Sequence, residues 1–362
     1  MTLPSYVAPA NIQSELDLLW NNLANKNKMS ASLFNLIFFT KKSARSEYIQ
    51  KIAHKVIEKF PARVFLISLD PEDDSDCLKT AVSVLSTEQG QFDITCDFIE
   101  LFASKKTEEQ IPFLLLPHLK EDLPVFLVWA EDPSLESHLC SELKRLATRI
   151  IFDSESTKDL ASFASSIFHS LVDCEIADLN WARLESWRDL MSATFCDEEK
   201  IDQLMHTSTV NISYNAQETP FFCHTKIQSI YLQAWMASRL KWTPLSVSCK
   251  EESCSFSYEK EGRTIEVLLQ GVRQSTLPPG MILSVDLKTT KEEHFLFTRD
   301  LEVPHQISLE YNTKQECRLP TKFTIAKGES GQSLVKEICH KGTSQHYLDV
   351  LKLIVTWGTG LC

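Results

Sequence analysis

The side chains with the widest chemical reach gather in one segment, DLNWARLESWRDL, Asp178 to Leu190. Read as a helix, it has Asp178 placed at the cap, where a carboxylate accepts otherwise unpaired amides. Trp181, Leu184 and Arg188 fall at helical spacing and share a face. Leu184, Trp187, Met191 and Phe195 form the adjoining apolar stripe. Arg183 and Trp187, four apart, are spaced for a cation–π contact. Tryptophan and arginine dominate the energetics of protein contacts, so one chemistry here is a partner anchor. A second is an inter-domain cornerstone, with tryptophans buried and arginines bonded to carbonyls. A third uses Arg183, Arg188 and Arg239 as bidentate donors to a phosphate, which would make the chain a sugar-phosphate-binding domain or an enzyme.

Other chemistries lack their motifs. Only nine glycines occur in 362 residues, and Gly90 alone falls in the first 180. No GxGxxG follows a strand and no GxxxxGK[ST] exists, so nothing lets backbone approach a phosphate at a helix N-terminus. HExxH, GxSxG and EF-hand patterns are also missing, and the ten histidines are dispersed. Cys223-His224 and Cys339-His340 are sequence neighbours whose side chains point different ways, unsuited to a thiol–imidazole pair. The run Asp70-Pro71-Glu72-Asp73-Asp74-Ser75-Asp76 reads as a solvated loop sooner than a cation site. The expectation is a chain without catalytic residues, cofactor or metal.

Charge narrows the partners. The formal net charge is -12, with 17 Lys/Arg against 27 Asp/Glu in the first 180 residues. Such a chain repels phosphate backbones and anionic membranes, and it carries no basic stripe, so nucleic acid and membrane are not expected as partners. Eleven cysteines without a Cys-x-x-Cys pair suit reduced, mostly buried thiols in the cytoplasm. The N-terminus lacks a signal-peptide pattern, and runs such as Leu33 to Phe39 are too short to cross a membrane.

These residues must be positioned by regular elements, and the periodicity supplies them. LFNLIFF (33–39), RVFLISL (63–69), PVFLVW (124–129) and RIIFD (149–153) read as buried strands, with less regular candidates at 81–85 and 92–101. Between them lie helical patterns: Ile49, Ile52, Val56 and Phe60, stopped by Pro61; Leu135, Leu139, Leu143 and Leu146 after Asp132-Pro133; and Leu160, Phe163, Ile167 and Leu171 after the capping-box pattern Ser156 to Asp159. Strands alternating with helices predict an α/β N-terminal domain over 1–177, a doubly wound, mostly parallel sheet without a phosphate loop. An α+β C-terminal domain is predicted over 178–362, helical through 178–242 and β-rich from 243. There Phe256 and Tyr258 answer Ile265, Val267 and Leu269 across a turn at Lys260 to Arg263.

At the tryptophan–arginine segment the sequence resembles the glucose-6-phosphate dehydrogenase assembly protein family, OpcA, with Asp189 where that family has glutamate. SLFNLIFF (32–39), FPARVFLI (60–67), DLPVFLVW (122–129), RIIFDS (149–154) and LQAWMASRLKW (232–242) resemble further family blocks in the same order. Val128 stands where a first tryptophan is usual, and Ala234 where glycine is. The family positions Asp122, Trp129, Asp153, Trp235, Arg239 and Trp242 are read as structural; Asp178, Trp181, Arg183, Trp187 and Arg188 as the partner-binding or inter-domain motif. The resemblance implies a non-enzymatic bacterial factor whose partner is glucose-6-phosphate dehydrogenase, the enzyme that opens the oxidative pentose phosphate pathway. It implies action by protein binding that favours the enzyme's active oligomer or conformation.

Overall fold

The computed structural model describes residues 5–24, 28–89, 92–135, 137–170, 174–222, 224–314, 319–326 and 331–361. Gly90, Leu171 and Cys223 lie outside them. The chain divides into two units. One takes the described residues of Met1–Ser156, His169–Leu179 and Ser330–Gly342; the other takes Thr157–Phe168, Asn180–Glu329 and Thr343–Cys362.

In chain order the elements begin β1 (Ser5–Val7), α1 (Ile12–Ala24), β2 (Lys28–Ser30), β3 (Asn35–Lys41), α2 (Ala44–Ile57), β4 (Arg63–Asp70), β5 (Leu78–Gln89), β6 (Phe92–Ser104) and α3 (Ile111–Leu115). They continue β7 (Val125–Trp129), α4 (His138–Leu146), β8 (Arg149–Phe152), α5 (Leu160–Ser170) and β9 (Glu175–Asp178). Strands β6-β4-β3-β7-β8-β9 are parallel neighbours in that order. Counted by themselves they run 3-2-1-4-5-6, the doubly wound order whose direction of winding reverses between β3 and β7. The apolar runs predicted as strands are buried on both faces, as parallel strands covered by helices must be. The less regular candidate segments pair as a long antiparallel hairpin, β5 with β6.

Helix α4 differs from expectation. Asp132-Pro133 does not start it: the Asp132 carboxylate accepts the Ser134 amide and hydroxyl in a turn, Leu135 is left 49% exposed, and Ser137 caps a helix beginning at His138. Ahead of α5 the capping also shifts. The Ser156 hydroxyl bonds the Asp153 carbonyl, while Asp159 accepts the Ala161 and Ser162 amides.

The second unit holds α6 (Leu179–Arg183, from Asn180 onward), α7 (Glu185–Thr194), α8 (Glu198–Met205), β10 (Thr207–Asn215), α9 (Ile227–Leu240), β11 (Thr243–Lys250), β12 (Ser253–Lys260), β13 (Arg263–Val272), β14 (Ile282–Thr289), β15 (His294–Arg299), β16 (Gln306–Asn312) and β17 (Thr321–Thr324). Two helices follow: α10 (Gln332–Cys339), which belongs to the first unit, and α11 (Gln345–Trp357) in the second. The sheet order is β11-β12-β13-β10-β14-β15-β16-β17, antiparallel except where β10 lies parallel to β13. Residues 178–242 are therefore not helical throughout: Val210, Ile212 and Tyr214 alternate inward on the central strand. Nor is the chain after 243 purely β. The expected hairpin forms, Phe256 opposite Val267 and Tyr258 opposite Ile265, with Glu261 and Gly262 at φ 53° and 77° in the turn. Cys249 and Cys254, directly opposite on β11 and β12, form a disulfide, so for this pair the expectation of reduced thiols is corrected.

The returning helix α10 places Leu334 and Ile338 in one core cluster with Ile52 and Val56 of α2. Arg149, 1% exposed at the start of β8, anchors that return. Its guanidinium donates to the carbonyls of Glu337 and Gly342, and its Nε reaches the Glu175 carboxylate at 3.1 Å. A buried cation this fully bonded is costly to disturb from one side. Arg149→Met leaves two carbonyls and the carboxylates of Glu175 and Glu337 without their donor, and should cost about 3–5 kcal/mol of stability. The denaturation midpoint in urea, with the slope unchanged, measures it.

Candidate functional site

In a doubly wound sheet the place for a ligand is the crevice at the carboxyl ends of the strands where the winding reverses, here the ends of β3 and β7. This chain fills that place with its own side chains. β3 ends at Lys41, Lys42-Ser43 follow it without glycine, and the Lys41 amide donates to the Glu131 carboxylate at 2.7 Å. A carboxylate thus sits on the strand-end amide where a dinucleotide fold would present backbone to phosphate. Glu131 is held above the usual glutamate range, chiefly by burial, against the Lys41 amide bond and the Lys41 and Arg45 charges.

The neighbouring strand ends are engaged too. Arg45, in the first turn of α2, bonds the carboxylate of Asp153, which is wholly buried after β8. Asp70 closes β4, the position of the ribose-binding acid in dinucleotide folds, and pairs with Lys42 at 2.7 Å. Asp178, also wholly buried at the end of β9, accepts the Ser154 amide at 3.2 Å and hydroxyl at 3.1 Å. The acidic run beyond Asp70 forms local turns: Asp70 takes the Glu72 amide and Asp73 the Ser75 amide. Among the described residues no group of three or more His, Cys, Asp or Glu is arranged to hold a metal.

A cavity of about 980 Å³ lies in the same unit, lined by Ser46 and Gln50 of α2, Ser68 and Asp70 of β4, and Glu100 and Phe102 of β6. Burial pushes the Glu100 carboxyl up, and Gln50 reaches it at 3.3 Å. Desolvated carboxyls favour neutral hydrogen-bonding groups over a phosphate.

The tryptophan–arginine segment is built in two pieces, α6 and α7, broken at Leu184. The Arg188 guanidinium lies 3.6 Å from the centre of the Trp181 ring and donates to the Trp181 carbonyl at 2.6 Å. The predicted shared face is thus a direct stack. The predicted Arg183–Trp187 pair does not form: Arg183 bonds Asn180 at 2.6 Å and lies over Phe222 at 5.3 Å, while Arg299 approaches Trp187 at 5.5 Å. The break at Leu184 alters the helical phase that the four-residue spacing assumed. Trp181 and Trp187 are buried, and Trp181 packs against Tyr347 of α11 at 5.6 Å.

Arg239, exposed near the end of α9, and Arg188 both act on His346 of α11. Burial and then these two charges hold His346 below its usual value, opposed by Asp349. Of the three arginines proposed as a clamp, Arg188 and Arg239 converge and Arg183 turns elsewhere. Among the family positions, Asp122 is exposed before β7, Trp129 stacks on Phe39 at 4.1 Å, Trp235 is half-buried on α9, and Trp242 tilts against Tyr258 at 5.6 Å. Glu131, Arg149 and His346 carried no local signal, because their partners are remote in sequence.

Two family models match the chain: the glucose-6-phosphate dehydrogenase subunit N-terminal domain over residues 53–167, and the C-terminal domain of the same description over 174–351. A Synechococcus elongatus protein named "Putative OxPP cycle protein OpcA" is 31% identical over 209 residues, covering 55% of this chain and 44% of that protein. A Nostoc punctiforme protein of the same name is 27% identical over 236 residues, covering 61% and 48%. The chain therefore spans less than half the length of these curated relatives. Among solved structures, UDP-N-acetylglucosamine 3-dehydrogenase GnnA of Acidithiobacillus ferrooxidans aligns with TM-score 0.50 at 10% identity, covering 91% of this chain and 98% of that one. The transcriptional regulator Gal80p of Kluyveromyces lactis aligns with TM-score 0.50 at 9% identity, covering 94% and 95%. At such identities the likeness is one of fold, and a fold shared by a dehydrogenase and a regulator does not choose between those roles.

The strand-end carboxylate makes a pH-dependent prediction. Glu131 keeps its proton to higher pH in the folded chain than in the unfolded one, so its contribution is fully present below the ordinary value of 4.5 and is lost as pH rises through the raised value. The wild-type chain should lose stability relative to Glu131→Gln over that window. Denaturant melts of both chains across it provide the measurement, and a pH-independent difference would contradict the assignment.

Proposed function

The chain belongs to the OpcA glucose-6-phosphate dehydrogenase assembly family, and on that premise we propose that it is a non-enzymatic factor that binds glucose-6-phosphate dehydrogenase and favours its active oligomer or conformation. The observation that carries this reading is the pair of family models, which together take in residues 53–167 and 174–351 and are described as the two domains of a subunit of that enzyme. The filled strand-end crevice supports it. A carboxylate on the Lys41 amide repels the diphosphate that a dehydrogenase of this fold would seat there. A binding factor of this kind works by differential affinity: it shifts the enzyme's population by as much as it prefers the active state.

The partner surface we assign is the corner of the second unit where Arg188 and Arg239 carry positive charge beside His346, in a chain otherwise strongly acidic. Trp181 acts beneath it, fixing Arg188 rather than touching the partner, while Trp187 is buried under Arg299. This corner suits an acidic face of the enzyme and concentrates the arginine type that dominates contact energetics.

Purified dehydrogenase titrated with this chain should gain NADPH-forming activity and shift in oligomer mass. No complex at concentrations of about 10 μM, and no change in either readout, would refute the reading. Arg239→Ala removes an exposed side chain and should leave the fold intact. It should weaken the complex by about 1–2 kcal/mol, roughly fivefold to thirtyfold, by titration calorimetry.

A further inference from the structure

We propose that the first unit binds an uncharged nucleoside carrying an amino group on its base, in the cavity beside α2 where β4 and β6 have no helix between them. Parallel neighbouring strands are ordinarily joined by a helix that packs on the sheet. Among the described residues the chain between β4 and β6 forms only β5, which joins the sheet on the far side of β6. Val64, Leu66 and Ser68 share one face with Phe98, Glu100 and Phe102, because Leu66 lies opposite Glu100 and Ser68 opposite Phe102. Helix α10 covers part of that face, bringing Leu334 and Ile338 into the cluster that holds Val64, Leu66 and Phe98. Nearer the carboxyl ends, Ser68, Glu100 and Phe102 line the open cavity, over β4 and β6 rather than between β3 and β7. Its volume of about 980 Å³ falls within the roughly 300–1,000 Å³ of small-molecule pockets.

Glu100 is the sign that the cavity takes a ligand. Its side chain lines the space yet is only 7% exposed. Among the described residues its one hydrogen bond comes from the Gln50 amide at 3.3 Å. The second carboxyl oxygen is left to whatever enters. Burial pushes this carboxyl up, as expected of a group taken from water without full compensation. The Gln50 amide oxygen and the Ser68 hydroxyl line the same cavity and make no other hydrogen bond among the described residues. Two acceptor oxygens beside a hydroxyl suit the amino group and ring nitrogens of a base.

The rest of the lining chooses between ligands. Leu66, Leu78 and Phe102 give a planar ring an apolar surface, which a sugar with hydroxyls on every side would leave unmatched. Glu47, Asp70 and Asp73 stand against Lys42 and Lys79 around the opening, and Lys42 is already paired with Asp70 at 2.7 Å. A phosphate there meets an excess of negative charge, so the nucleoside is preferred to its nucleotide.

Titration calorimetry on the whole chain, with adenosine, cytidine, uridine, adenosine monophosphate and glucose as separate probes, tests this. Adenosine or cytidine should bind saturably and one to one, in the range of about 10 μM to 1 mM, and glucose should not bind. Uridine, which lacks the amino group, should bind at least about threefold more weakly, and so should the monophosphate. Glu100→Leu keeps the bulk and removes the acceptor; it should weaken binding about tenfold without lowering the melting temperature. Should that variant fail to fold, Ser68→Ala carries the same test, with a loss of about threefold. Lys322→Gln, in the second unit, should leave binding intact. No saturable binding of adenosine or cytidine below about 10 mM, or equal affinity in wild type and Glu100→Leu, overturns the site. A monophosphate as tight as adenosine overturns the uncharged ligand, uridine as tight overturns the amino group, and glucose binding in their place overturns the nucleoside. None of these readouts involves the dehydrogenase, so failure here leaves the partner reading standing, and the reverse also holds.

Discussion

The first unit is organised by a single strand-end amide and the carboxylate that answers it. A parallel sheet ends in unpaired amides on its carboxyl side, and at the reversal of winding a nucleotide-binding chain leaves them to a ligand. Here the Lys41 amide is taken by Glu131, tying the ends of β3 and β7. The turn that follows is fixed by that bond, so α2 begins where Arg45 meets the buried Asp153 just after β8. The face that α2 then offers holds Ile52 and Val56 against Leu334 and Ile338. A desolvated carboxylate is an uncomfortable acceptor, as its raised proton affinity records. Retaining it keeps the scaffold of a nucleotide fold in a state unsuited to a diphosphate.

The second unit solves a different problem. Its sheet is antiparallel apart from the neighbours β10 and β13, and helices supply its apolar cover through pairs such as Phe256 of β12 with Trp357 of α11 at 4.9 Å. The tryptophan–arginine segment becomes intelligible in that setting. Trp181 is buried, yet it holds the Arg188 guanidinium at the distance of a stack, and Arg188 shares an electrostatic neighbourhood with Arg239 from another helix. An interior aromatic thereby fixes the direction of a cation beside it. Burial of the ring and the fixed direction of the arginine are one arrangement.

Short-range pattern was readable from the sequence and long-range pairing was not. Buried strands such as Arg63–Asp70 follow from continuous apolar runs, and the hairpin of Phe256 with Val267 from period-two apolar spacing and turn chemistry. The Trp181–Arg188 stack was visible for the same reason, seven residues being two helical turns. The strand Thr207–Asn215 was hidden because serine and asparagine occupy its outward positions and helices flank it on both sides. Leu135 fitted a helical stripe, but Asp132 spends its carboxylate on a tighter turn. Glu131 lies 90 residues from its amide and Arg149 lies 188 from the carbonyl of Glu337. No spacing rule reaches so far.

The interrupted make-up of the first unit governs how it is made. Its sheet is fully specified once Leu179 has been synthesised, yet Ser330–Gly342 follows only after roughly 150 further residues. At about 5–20 residues per second, the nascent unit waits on the order of ten seconds or more before α10 exists. During that interval the side of α2 that later receives Leu334 and Ile338 is an uncovered apolar strip on the ribosome, and Arg149 lacks both carbonyls. A segment made roughly 150 residues later thus closes the first-made half.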